Sequence, residues 1–169
     1  MIRLATIDDA EAIARIHVQT WQIAYAGIVP AEHLAKLSEK ERALWWREHL
    51  AQQRSVTLVA VNDREILGWI SFGPSRDEDS VEKSEIYAIY VQPRDWSRGI
   101  GQRLLKEAEL RLPQEREVTL WVLQENARAL RFYQAAGYQI DSQEKPITFG
   151  DTVLTELRLI KSLRAVGIE

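Results

Sequence analysis

The stretch YVQPRDWSRGIGQRLL, residues 90–105, constrains this chain more than any other. It closes SEIYAIYV (84–91), whose β-branched and aromatic residues predict a strand. Pro93 ends that strand, and Ile100, Leu104, Leu105, Ala108 and Leu112 then recur at helical spacing until Pro113 stops the helix. A strand passing through a glycine turn straight into a helix leaves the first-turn N–H groups free, and with the helix dipole they form a site for phosphate. Gly99 and Gly101 let the main chain approach a ligand closely. Alone, the Gly-Ile-Gly fragment serves an ordinary turn or close helix packing equally well. A Rossmann dinucleotide site fits poorly because the three-glycine pattern is incomplete and sits in mid-chain, and a Walker loop is excluded because no Gly-Lys-Ser/Thr follows.

The following EVTLWVL (117–123) reads as a buried strand, so 84–123 forms a βαβ unit with parallel strands and a right-handed crossover. Upstream, Thr6-x-x-Asp9 has the form of a capping box for a helix near 7–24, and Ser38-x-x-Glu41 for a second reaching about Gln53, with Gly27 and Pro30 interrupting between them. VTLVAV and ILGWISFG around the polar NDRE predict a β-hairpin. PSRDEDSVEK (74–83) is too polar to pack and reads as a mobile loop. Asn126 suits the N-cap and Gly137 the C-cap of the helix ARALRFYQAA, and strands near 138–144 and 152–160 turn at Gly150-Asp151. No repeat or linker interrupts residues 1–169, which read as a single domain.

The chain contains no cysteine, which excludes disulfides, thiolate metal sites and a cysteine nucleophile together. A net charge of −3 with both signs interspersed argues against a nucleic-acid partner. No apolar run approaches the roughly 20 residues of a membrane span, and the acids in MIRLATIDDAEAIARI do not suit a signal peptide, so a cytoplasmic location is expected. His17, His33 and His49 lack a metal-ligand pattern and read as surface or helix-face residues, so no metal is implied.

In LWVLQENARALRFYQAAGY, Asn126 and Tyr133 are seven residues apart, which on a helix returns to within about 20° of the same face. Asn126 can hydrogen-bond an amide-containing ligand and Tyr133 has a phenolic proton to donate. The plainer alternative is a helix cap and a core aromatic.

These two segments resemble the cofactor-binding core of the GNAT superfamily of acetyltransferases, over about Ser84 to Tyr138. The family's Gln/Arg-x-x-Gly-x-Gly/Ala signature falls on Trp96-Ser97-Arg98-Gly99-Ile100-Gly101, with Trp96 the departure. Its Asn-x-x-Ala-x-x-Phe-Tyr-x-x-x-Gly-Phe pattern falls on Asn126, Ala129, Phe132, Tyr133, Gly137 and Tyr138. The resemblance implies an α/β (α+β) fold: a mixed, mostly antiparallel twisted sheet with a central parallel βαβ unit, flanked by about four helices. It implies acetyl-CoA as co-substrate, its pantetheine arm against Ile89, Tyr90 and Val91, its diphosphate at Trp96, Ser97, Arg98, Gly99, Ile100, Gly101 and Gln102, and further contacts to Asn126 and Tyr133.

The activity so implied is direct transfer of an acetyl group to a primary amine of a small molecule or peptide N-terminus, without an acyl-enzyme, in keeping with the missing cysteine. Tyr133 would protonate the departing thiolate. Glu85, six residues before Val91, would deprotonate the amine through water, or else merely solvate a strand edge. Trp21 and Tyr25 would line the acceptor cleft or anchor the first helix to the sheet. The acids Asp77, Glu78, Asp79 and Glu82 would attract a cationic amine or form a solvated loop. A non-catalytic acyl-CoA sensor or protein-interaction module is the alternative, favoured only by Trp96. An acyl group larger than acetyl depends on space near Ile89 and Leu123, and a homodimer sharing the C-terminal strands is a further expectation.

Overall fold

The computed structural model describes residues 1–163. Its strands are β1 (Ile2–Leu4), β2 (Val56–Asn62), β3 (Glu65–Pro74), β4 (Ser84–Val91), β5 (Glu117–Leu123), β6 (Gln139–Phe149) and β7 (Thr152–Ser162). Its α-helices are α1 (Ala10–Ala24), α2 (Ala31–Ala35), α3 (Glu39–Gln52), α4 (Ile100–Arg111) and α5 (Ala127–Ala135). The strands form one sheet in the order β1-β2-β3-β4-β5-β7-β6, antiparallel throughout except for β4 beside β5. This is the expected mixed sheet around a parallel βαβ unit. The additional helix is α2, five residues between Pro30 and Lys36 and too short for a periodic signal.

The helices start where short polar side chains satisfy free amides. Ser38 Oγ accepts from the Glu41 N–H at 3.2 Å to open α3, and Asn126 Oδ1 accepts from the Ala129 N–H at 3.1 Å to open α5. At the head of α1 the Asp9 carboxylate accepts from the Thr6 N–H at 2.7 Å and from both Arg3 Nη atoms.

Adjacent residues on the central strands serve opposite faces. Leu58, Ile70 and Phe72 pack against Ile100, Leu104 and Leu105 of α4, while Val59, Ile66 and Trp69 pack against Ile13 and Ala14 of α1 and Trp46 of α3. The sheet is therefore a middle layer, which is why its central strands read as near-continuous apolar runs. Among the described residues no helix is long and apolar enough to cross a membrane.

Two polar features depart from the sequence reading. His17 is a half-buried helix-face residue rather than a surface one: its ring lies 5.2 Å from that of Tyr90 and 5.7 Å from that of Trp69, and its buried Nδ1 has no hydrogen-bond partner among the described residues. Burial, reinforced by the charge of Arg42, holds its pKa down at about 3.

Nor is 74–83 a free loop. Residues Glu78–Ser80 form a 3-10 turn clamped by Arg158, whose Nη1 and Nη2 donate to Asp79 at 2.7 and 2.9 Å and whose Nε donates to Asp141 at 2.6 Å. Trp121 Nε1 donates to Asp77 at 3.1 Å. The Arg158 hydrogen bonds hold the Asp79 carboxyl at about 2. The acidic run is thus tied down by a buried cation from a distant strand, while Glu78 and Glu82 are exposed.

Between pH 6.5 and about 3 the unfolded chain binds a proton at His17 that the folded chain rejects. Stability therefore falls as pH is lowered through this window, by up to roughly 1.4 kcal/mol per pH unit. Urea unfolding at pH 7, 6 and 5 checks this: wild type loses stability toward pH 5, and His17→Phe flattens the slope.

Candidate active site

The site begins with a fault in the sheet. Between β3 and β4 the register runs Ser71↔Ala88 and then Phe72↔Ile86, so Tyr87 has no opposite number. Such a bulge bends its strand. On the other side β4 pairs with β5 only at Ser84↔Val118 and Glu85↔Thr119, while β5 continues along β7 as far as Leu123↔Glu156. From Ile86 onward β4 and β5 diverge, and a cavity of about 680 Å³ opens between them, lined by 86–91 on one side and 120–122 on the other.

One end of the cavity meets the start of α4. Gly99 is its N-cap in the left-handed region (φ 76°) and offers no side-chain cap, and the first turn holds no acid. The opening amides of α4 are free donors at the positive end of the helix dipole. Ser97, also left-handed (φ 64°), and Gly99, Ile100, Gly101 and Gln102 line the cavity. Gly101 has a second reason to lack a side chain, since a Cβ there would lie 3.3 Å from the Phe132 ring of α5.

Trp96, the departure from the family signature, acts as a strut. Its Nε1 donates to the Val91 carbonyl at 2.8 Å, and the Arg128 guanidinium lies over its ring at 3.5 Å. Arg128 lines the cavity, and no carboxylate among the described residues pairs with it. Arg98, expected at the diphosphate, is instead exposed, does not line the cavity and donates to Asp95 at 3.0 Å. The cation at this end thus comes from α5, two residues after Asn126, and no spacing within the 96–101 motif reveals it.

The other end is a cluster of phenols. Tyr133, on the inward face of α5, lines the cavity, and burial with the nearby Tyr25 pushes its phenol well above the ordinary value. Asn126 lines it too while capping α5. Burial also raises Tyr25, with hydrogen bonds to Tyr90 and Asn126 offsetting part of the effect. Ile89, Tyr90, Val91 and Tyr25 all border the cavity. Trp21 does not; its Nε1 donates to the Tyr90 hydroxyl at 2.9 Å, and it packs edge-on against Tyr25, so it anchors α1 to the sheet.

Glu85 is placed differently from expectation. Its carboxylate accepts from the Arg76 N–H at 3.0 Å, from Nε at 3.1 Å and from Nη2 at 2.5 Å, its side chain is 2% exposed, and it does not line the cavity. It is a buried ion-pair partner with no open face toward the site. Among the described residues no three His, Asp or Glu side chains cluster as ligands for a metal ion.

Comparison with known proteins bears on this geometry. The family model described as the Acetyltransferase (GNAT) family matches residues 11–138. The chain is 32% identical over 136 residues to the uncharacterized N-acetyltransferase YuaI of Bacillus subtilis, covering 79% of this chain and 77% of that one. It is 23% identical over 154 residues to spermidine N(1)-acetyltransferase of Thermoplasma acidophilum, covering 85% and 90%. PaiA N-acetyltransferase of T. acidophilum, whose crystal structure holds coenzyme A, has the same fold, with a TM-score of 0.73 at 23% identity over 96% of this chain and 98% of that one.

Segment 75–83 is held to the sheet by Arg158. Arg158→Ala leaves Asp77 and Asp141 without their cation and is expected to lower Tm by roughly 5–10 °C. It should also expose 75–83 to limited proteolysis, and Arg158→Lys should restore little, because an ammonium cannot bridge two carboxylates as the guanidinium fork does. Differential scanning fluorimetry and a trypsin time course measure both.

Proposed function

The chain belongs to the GNAT family of acetyltransferases, and from that premise we propose that it moves an acetyl group from acetyl-CoA directly to a primary amine entering beside Tyr25. The observation that carries this reading is the gap between β4 and β5, which leads from the uncapped amides of α4 to the phenol of Tyr133. Its parts suit the co-substrate. Free amides and the Arg128 guanidinium match a diphosphate, and the open edge of β4 matches an amide-bearing arm that would lie along it as an added strand.

When bound, acetyl-CoA supplies an activated thioester. The first turn of α4 and Arg128 hold the diphosphate and so set how far the arm reaches. Main-chain donors on the bulged part of β4 orient the carbonyl and favour the negative charge that develops on its oxygen. Tyr133 keeps its proton in the resting protein, because burial disfavours the phenolate, and delivers it to sulfur as the thiol leaves. Holding both reactants in one cleft supplies rate by orientation.

The acceptor is a primary amine of a small molecule or a peptide. Asp77 and Asp79 do not recruit it, since Arg158 already holds Asp79 and bonds Asp77 at 3.4 Å.

A thiol-release assay with acetyl-CoA against polyamines, aminoglycosides, amino acids and peptide N-termini tests the proposal, with release above the no-amine rate expected for at least one class. Cofactor binding without release on any amine would favour the sensor alternative. Tyr133→Phe is expected to lower kcat by about 10²- to 10⁴-fold with little change in acetyl-CoA affinity by calorimetry. Unchanged kcat would remove Tyr133 from proton delivery.

A further inference from the structure

With Glu85 sealed against Arg76, the proton released by the amine needs another destination. Glu156 of β7 stands directly opposite Leu123, the last residue of β5, so the two side chains leave the sheet on the same face. Leu123 packs there with Trp21 and Tyr25 beneath α1. On the other flank Lys145 Nζ lies 4.1 Å from the centre of the Trp121 ring and 3.8 Å from Glu156 Oε2. Tyr25 and Trp121 both line the cavity; Glu156 does not itself line it and stands behind them. The Glu156 side chain keeps 19% of its surface exposed, against 2% for Glu85, and its one ion pair among the described residues is long, at 3.8 Å.

We propose that Glu156 is the carboxylate that receives the proton of the acceptor amine; the assignment rests on the acetyl-transfer reading above. As the N–C bond forms and the C–S bond breaks, the amine proton passes through water to Glu156, and Tyr133 protonates the sulfur. Exchange with solvent then returns both groups to their starting states.

The charges around Glu156 suit the task. The groups facing it are Lys145 from β6, Arg76 from the β3–β4 connection, Glu85 from β4 and Tyr25 at the C-cap of α1. Burial, helped by Glu85, raises its carboxyl above the ordinary value, while Lys145 and Arg76 oppose the rise. A base is more effective as its pKa approaches the working pH, provided it is still ionised there. Activity should therefore fall with acid as Glu156 becomes protonated, at a pH above that of an ordinary glutamate.

The experiment is the pH profile of kcat/KM for acetyl-CoA with spermidine, or with the panel amine acetylated fastest, on wild type, Glu156→Gln, Lys145→Met and Glu85→Gln, with acetyl-CoA affinity measured in parallel. Glu156→Gln should lose roughly 10²-fold at pH 7, recover toward pH 9.5 as free amine accumulates, and bind acetyl-CoA as wild type does. Lys145→Met, which removes an opposing charge without touching the carboxylate, should move the acid limb to higher pH. A wild-type profile for Glu156→Gln, or a pH-recoverable loss in Glu85→Gln alone, overturns the assignment while leaving acetyl transfer standing. Bound acetyl-CoA with no amine acetylated overturns both.

Discussion

Everything at this site depends on a pairing that stops. Two parallel partner pairs join β4 to β5, and a single unmatched residue, Tyr87, then turns β4 aside. Backbone donors and acceptors inside a sheet are normally consumed by the next strand. Here the edge of β4 is left open in the middle of the molecule, covered on both faces by helices yet reachable along its length. A ligand rich in amides can complete the ladder there at little cost in reorganisation, because the protein has already ordered its half.

What surrounds the gap divides into two ends with different chemistry. Positive potential at the α4 end comes from main-chain amides and the Arg128 guanidinium fixed on Trp96, with Arg131 of α5 also on the cavity lining, not from a broad basic surface, which is why a chain of net charge −3 can accommodate a polyanion. The α5 end is apolar and phenolic, and its dryness raises Tyr133, Tyr25 and Tyr90 alike. Charges near it are cancelled in pairs, Glu85 by Arg76 and Asp79 by Arg158. Glu156, loosely tied to Lys145, is the exception among these.

Local signals carried the frame of the fold. Strand, glycine turn and helix at 84–112, the caps at Ser38 and Asn126, and the seven-residue spacing from Asn126 to Tyr133 depend on neighbours close in sequence, and each has its expected place in the fold. The failures share a cause of the opposite kind. Arg158 meets Asp79 across 79 positions, and nothing in PSRDEDSVEK announces a buried cation waiting for it. His17 keeps helical spacing but is enclosed by rings from β3 and β4. Glu85 matched a familiar position for a base, yet Arg76, nine residues earlier, claims its carboxylate. The bulge at Tyr87 is a register event, visible only once β3 and β4 are laid side by side.

Hydrogen exchange of backbone amides, followed by mass spectrometry with and without saturating acetyl-CoA, tests most directly whether the open edge of β4 and the start of α4 form one binding surface. Slowed exchange confined to peptides covering 86–91 and 98–103 is expected. Slowing elsewhere with those two segments unchanged, or no slowing while calorimetry registers binding, would contradict the assignment of the gap as the site.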